Sequence, residues 1–261
     1  MRRDAAALRL LTALLVAVAC ATSCHGAEEK IAEQGDDARP TVVITGANRG
    51  LGLELARQFG AKGYRVVGTA RKPEAAKELR ALGARVEQLD VADSESVRAL
   101  AARLGELSVD VLVNNAGILV REGGIEEIDV DSIARSFEVN SLGPMRVTQA
   151  LLPHLRLGKK KLVVQITSRM GSIAQNEGGY YAYRASKAAL NMLNRSLAAE
   201  LGGEGFTCVV LHPGWVRTDM GGPNARLSPE ESVSGIIRVM DGLTREDSGR
   251  FFDHSGEELP W

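Results

Sequence analysis

Tyr183 and Lys187 stand four residues apart in the stretch Tyr180-Tyr181-Ala182-Tyr183-Arg184-Ala185-Ser186-Lys187, a spacing that can carry proton transfer. Residues four apart on a helix share a face, so phenol and ammonium can enter one pocket. An ammonium beside a phenol favours phenolate and draws a tyrosine pKa down from about 10 towards the working pH, as a general acid requires. Neither Tyr180 nor Tyr181 has a lysine four residues on. The competing reading is a chance pairing on an exposed helix, and the elements around the pair must decide between the two.

From Pro40 onward, short β-branched runs alternate with longer helical patterns, which implies βαβ units and a parallel sheet. The runs predict strands over 41–45, 65–69, 85–90, 109–114, 161–167, 206–211 and 250–252. Apolar residues at helical spacing predict helices over 51–61, 74–82, 95–105, 132–155, 182–201 and 229–243. This is the pattern of an α/β fold with a doubly wound, parallel, seven-stranded sheet in one domain, residues 40–261.

The first strand runs straight into Thr45-Gly46-Ala47-Asn48-Arg49-Gly50-Leu51-Gly52 and then a helix. Glycines there let the chain turn sharply and bring backbone N–H groups against a pyrophosphate at the helix N-terminus. A simple tight turn is the alternative. Further polar positions recur at strand ends: Asp90-Val91, Asn114-Asn115-Ala116-Gly117, Ser168, and Pro213-Gly214-Trp215-Val216-Arg217-Thr218, with Asn140 inside a helix. Ligands of open parallel sheets bind outside the carboxyl ends of the strands, near the topological switch point.

The Gly-x-x-x-Gly-x-Gly spacing and the ordered set that follows it resemble the short-chain dehydrogenase/reductase family, from Thr41 to the C-terminus. The resemblance implies a nicotinamide cofactor held by Gly46, Asn48, Arg49, Gly50, Leu51 and Gly52. It places Asp90 and Val91 near the adenine, and Asn114, Ala116 and Gly117 beside the cofactor. Pro213, Gly214, Val216 and Thr218 then follow the sixth strand, Val216 and Thr218 near the nicotinamide amide and a phosphate. Tyr183 and Lys187 would also touch the cofactor. For Asp90 a helix N-cap or a turn is the competing role.

The end of the second strand reads Gly68-Thr69-Ala70-Arg71-Lys72, with no acid to accept from the ribose hydroxyls. Arg71 and Arg49 instead match a 2′-phosphate, so NADP(H) is expected over NAD(H). The family resemblance implies reduction of a ketone or aldehyde, reversibly, with Tyr183 as proton donor and Ser168 orienting the carbonyl. Lys187 would depress the tyrosine pKa and hold the nicotinamide ribose, and Asn140 would help hold a water linking Lys187 to solvent. Thr167 and Ser172 are rival hydroxyls to Ser168. Pro144 is expected to kink the Asn140 helix and free a carbonyl for water.

Residues 218–225 are expected to form a short substrate lid. With the tyrosine stretch and the ending Gly256-Glu257-Glu258-Leu259-Pro260-Trp261, they resemble the C-factor and sniffer-type carbonyl reductases of the family. That implies a small or broadly accepted carbonyl substrate, and keeps open a cofactor-binding signalling or sensing protein with incidental turnover. In relatives the helices flanking the fifth strand form the oligomer interface, so a homodimer or homotetramer is implied.

The net charge of the 261 residues is -1, with both signs well mixed, so no nucleic-acid surface is expected. The four histidines are scattered without metal-site spacing, and Gly-x-Ser-x-Gly is absent, so neither a metal centre nor a serine hydrolase is expected. Residues 1–26 read as a signal-like leader: Arg2-Arg3, an apolar run over 10–21, then Thr22-Ser23-Cys24-His25-Gly26. Cleavage after Ala21 or Gly26, a lipoprotein box around Cys20 or Cys24, and a plain N-terminal extension all fit, and residues 27–39 read as a linker. Export or membrane association follows from the leader, and a cytoplasmic location from the need for NADPH. Cys208 alone lies in the body, in an apolar strand, as a buried thiol.

Overall fold

The computed structural model describes residues 39–121 and 124–261. The leader expected over 1–26 and all of the linker but Arg39 lie outside the described residues.

The strands are β1 (Thr41–Ile44), β2 (Arg65–Ala70), β3 (Arg85–Gln88), β4 (Val111–Asn114), β5 (Leu162–Ile166), β6 (Thr207–His212) and β7 (Phe251–Asp253). They form one sheet in the order β3-β2-β1-β4-β5-β6-β7, parallel throughout. The order reverses between β1 and β4, and there the crevice for a ligand opens at the carboxyl edge.

Both faces of the central strands are covered, which is why they read as continuous Val/Ile/Leu runs rather than alternating ones. Val42, Ile44, Val113, Val164 and Leu211 face one core with Leu55 and Phe59 of α1 (Gly50–Ala61) and Ile236 of α7 (Pro229–Gly242). Val43, Leu112 and Val163 face the other core. There they meet Leu100 of α3 (Ser94–Leu104), Leu151 and Leu155 of α5 (Gly143–Leu157), and Leu197 of α6 (Tyr181–Leu201). Leu155 is fully buried, and truncating such a leucine to alanine costs about 2–5 kcal/mol.

Strand and helix positions match the expectations to within two residues at most ends, and two helices differ in kind. The pattern over 74–82 divides into a 3-10 turn (Pro73–Ala75) and a short α2 (Lys77–Ala81). The single helix expected over 132–155 is instead α4 (Val130–Phe137), a π turn (Glu138–Leu142) and α5. Pro144 explains the break, because it has no N–H for the carbonyl of Asn140 four residues back. An extra residue in the turn then realigns the apolar faces on either side of it.

Candidate active site

The β1–α1 turn is held by its neighbours on both sides. Gly46 N–H donates to Thr69 Oγ1 (3.3 Å) and Ala47 N–H to the Thr69 carbonyl (2.8 Å) on β2. From β4, Asn115 Nδ2 donates to the carbonyls of Thr45 (2.9 Å) and Gly46 (3.1 Å), while Thr45 Oγ1 accepts the N–H groups of Asn115 and Ala116. Thr45, Thr69 and Asn115 thus shape the turn, although none was among the expected site residues. Their signal in the sequence is slight: one polar residue at the end of each of three apolar strands.

This turn fits a dinucleotide pyrophosphate. Gly46 and Gly50 have φ of +65° and +53°, which L side chains seldom adopt. A Cβ on Gly52 would overlap the Gly46 carbonyl oxygen. The first turn of α1 has neither a side-chain cap nor an acid, so its N–H groups are left to an anion. Asn48 is half-buried in the turn and Leu51 lies in the first turn of α1. Arg49 is exposed, its guanidinium 2.9 Å from Asp219.

At the rim, Arg71 follows β2 and is exposed. Asp90 is a turn residue here, its carboxylate accepting the Ala92 N–H (3.0 Å), while Asp93 caps α3. Val91 is buried against Gly143 at the start of α5. Asn114, buried at the end of β4, donates to Thr148 Oγ1 (3.1 Å) and leaves Oδ1 without a protein partner. Pro213, Gly214, Val216 and Thr218 form the walls after β6. Ser232 Oγ donates to the Pro213 carbonyl (2.6 Å), and Val216 bridges to Leu227. The methyl of Thr218 lies where a Cβ on Gly50 would be in van der Waals contact, at 3.4 Å.

The centre is buried. Ser168 lies two residues beyond β5 and caps the 3-10 turn Arg169–Gly171 by accepting the Met170 N–H (3.1 Å). Its side chain also hydrogen-bonds Tyr183. The rival hydroxyls are committed elsewhere: Thr167 Oγ1 donates to Asn191 (2.7 Å) and Ser172 Oγ accepts the Gln175 N–H (3.2 Å). Lys187 Nζ donates to the Ile166 carbonyl (2.8 Å) and lies 5.9 Å from the Tyr183 ring centre. One strand end therefore holds both Ser168 and the anchor of Lys187.

Asn140 sits in the π turn, fully buried. Its Oδ1 accepts the Ile118 N–H (2.8 Å), and its Nδ2 donates to the Ile118 carbonyl (2.9 Å) and Ser186 Oγ (3.0 Å). Ser186 Oγ in turn donates to the Tyr183 carbonyl (2.8 Å). The Asn140 side chain is thus a clamp between the β4 loop and the tyrosine helix. Pro144 has no N–H to offer the Asn140 main-chain carbonyl. Gly117 completes the contact, its missing Cβ lying 3.2 Å from Asn140 Oδ1 and 3.7 Å from Lys187 Nζ.

The electrostatics correct one expectation. Burial pushes the Tyr183 phenol up to about 12, against the Ser168 hydrogen bond that favours phenolate. Burial likewise pulls Lys187 down to about 8. In the protein alone, desolvation outweighs the Ser168 hydrogen bond, so Tyr183 keeps its proton at neutral pH. That is the form a proton donor needs.

A model of short chain dehydrogenases matches residues 40–227. C-signal of Myxococcus xanthus is 54% identical over 166 residues, 63% of this chain and all of that protein. The carbonyl reductase Sniffer of D. melanogaster superposes with a TM-score of 0.80 at 32% identity, over 85% of this chain and 100% of its own. NADPH-bound carbonyl reductase from chicken fatty liver superposes with a TM-score of 0.81 at 34% identity, over 85% of this chain and 95% of its own. The family match spans the glycine turn, the strand ends and the tyrosine helix in one continuous stretch, and the chain belongs to the short-chain dehydrogenase family of oxidoreductases.

Proposed function

We propose that this oxidoreductase is an NADPH-dependent carbonyl reductase interconverting ketones or aldehydes with alcohols. The observation that carries the reading is the buried Ser168–Tyr183–Lys187 set at the carboxyl edge of the sheet, beside a helix N-terminus left without a side-chain cap. When bound, NADPH supplies a hydride to the carbonyl carbon. The chain's own residues do the rest.

The glycine turn and the α1 N-terminus hold the pyrophosphate, and Arg49 and Arg71 the 2′-phosphate. Asp90 and Val91 border the adenine, and Asn114, Ala116 and Gly117 the cofactor's inner edge. Ser168 hydrogen-bonds the substrate oxygen and orients it. Tyr183, protonated at neutral pH, donates its proton to that oxygen as negative charge develops there. Lys187, cationic below about 8, favours the resulting phenolate and has N–H groups beyond its Ile166 bond for the ribose. The Asn140 carbonyl holds a water through which the proton is replaced. Pro213, Gly214, Val216 and Thr218 flank the nicotinamide.

A signalling role is the second reading, favoured by the 54% identity to C-signal. A pure sensor needs the glycine turn and no buried proton donor, so the central set favours turnover. Tyr183→Phe decides between them: NADPH binding is expected to persist while reduction of a carbonyl panel falls about a hundred- to ten-thousand-fold. Equal turnover in the mutant rules the enzyme reading out. Self-association as a homodimer or homotetramer is proposed through α6, where Ala185 and Met192 face solvent; sedimentation velocity reads it.

A further inference from the structure

Arg49 and Asp219 are 170 residues apart in the chain and joined by a 2.9 Å hydrogen-bonded ion pair. Arg49 flanks the glycine turn; Asp219 belongs to the segment after β6. The two segments also touch at Gly50 and Thr218. Both charged side chains are largely exposed, at 72% and 80%, so the pair is weak and easily exchanged. The segment carrying Asp219 is otherwise tied by few side chains. Thr218 Oγ1 accepts the Gly221 N–H (3.2 Å), Trp215 Nε1 donates to the Gly221 carbonyl (2.8 Å), and Arg121 donates to the Met220 carbonyl (3.2 Å).

We propose that Asp219 is a latch that competes with the 2′-phosphate of the cofactor for Arg49, so that the phosphate both selects NADP(H) and releases the 218–222 segment. The proposal rests on the NADPH reading above. A guanidinium cannot make its best contact with carboxylate and phosphate at once. A phosphate monoester carries nearly two negative charges against one on Asp219, so the exchange favours the phosphate. The fraction of protein with Arg49 held by Asp219 lowers the apparent affinity for the phosphorylated cofactor. By reciprocity, binding the phosphate loosens the latch by the same factor. A cofactor without the 2′-phosphate leaves the latch closed, and Asp219 thereby acts on specificity without touching the reacting atoms.

The test uses adenosine 2′,5′-bisphosphate and adenosine 5′-monophosphate, which differ only in the 2′-phosphate and do not absorb where tryptophan emits. Affinities are measured by calorimetry on the full chain, wild type, Asp219→Asn, Asp219→Ala, and each combined with Arg49→Gln. Removing the latch is expected to tighten the bisphosphate about two- to fivefold, the value of an exposed ion pair. The monophosphate is expected to bind unchanged, and the gain to vanish in the Arg49→Gln background. In a Trp261→Phe background Trp215 is the remaining tryptophan. Its emission is expected to shift with the bisphosphate and not with the monophosphate.

If the wild type binds both nucleotides equally, the NADPH reading fails and the latch with it. If it prefers the bisphosphate but Asp219→Asn and Asp219→Ala leave that affinity unchanged, the latch alone is overturned. Equal gains for both nucleotides also overturn it, since they report only the removal of a negative charge. Equal Trp215 shifts with both nucleotides overturn the release of the segment.

Discussion

The two ends of the sheet handle most of their buried polar groups differently. At the amino end, Asp110 just before β4 is buried, and backbone donors satisfy it: Thr41 N–H reaches one oxygen (2.8 Å), and Lys159 N–H (2.8 Å) and Lys160 N–H the other. At the carboxyl end, Asn114 Oδ1, both side-chain atoms of Gln165, His212 Nδ1 and His254 Nδ1 are buried without protein partners. Lys187 is buried there with one carbonyl bond for three donors. A polar group buried without a partner costs stability. Asn194 Oδ1 beside Cys208 is the amino end's exception; most of the polarity there joins strands, and more of it is available at the carboxyl end.

Mutations at the two ends should separate chemistry from stability. Tyr183→Phe should have the largest effect, lowering reduction by about a hundred- to ten-thousand-fold with little change in Tm. Asp110→Ala should do the reverse. It leaves three backbone donors without their acceptor and should cost about 2–4 kcal/mol in urea unfolding, with NADPH affinity unchanged. Loss of cofactor affinity in proportion to stability would mean that the two ends are not independent.

Activity and stability should also respond to pH in opposite directions. Reduction should hold below pH 8 and fall by up to about tenfold per unit above it, as Lys187 loses its proton near about 8. Stability should move the other way. Lys187 titrates lower in the folded chain than its ordinary 10.5, so between about 8 and 10.5 the unfolded chain binds more protons and folding gains as pH rises. Lys187→Met should flatten both profiles in that window. The exposed rim should respond less: Arg71→Asp is expected to move the NADPH-over-NADH preference by roughly tenfold. The exposed pair of Lys62 and Asp241, 2.8 Å apart on the outer helices, should matter least. Lys62→Gln is expected to change stability by at most about 1 kcal/mol.

Much of the site was legible because its signals are local. Gly46, Gly50 and Gly52 fall between a strand and a helix, and the positive φ at the first two is what glycine permits at least cost. Asn114 and Ser168 stand where apolar strands stop. The π turn at Asn140 was not legible, since the helical spacing of apolar residues runs on through it with Pro144 as the one mark of a break. The roles of Thr45, Thr69 and Asn115 were hidden too, because each bonds to a residue on another strand.

The order of strands and helices and the shared face of Tyr183 and Lys187 are readable from local sequence alone. Those properties follow from the period of the backbone and the side chains along it. Only the tertiary structure decided that Ser168, fifteen residues before Tyr183, meets its hydroxyl, and that Arg49 meets Asp219 across 170 residues. It also decided that burial holds the phenol protonated and brings Lys187 down to about 8. Desolvation and hydrogen-bond partners depend on which distant elements close over a side chain, and no local spacing contains that.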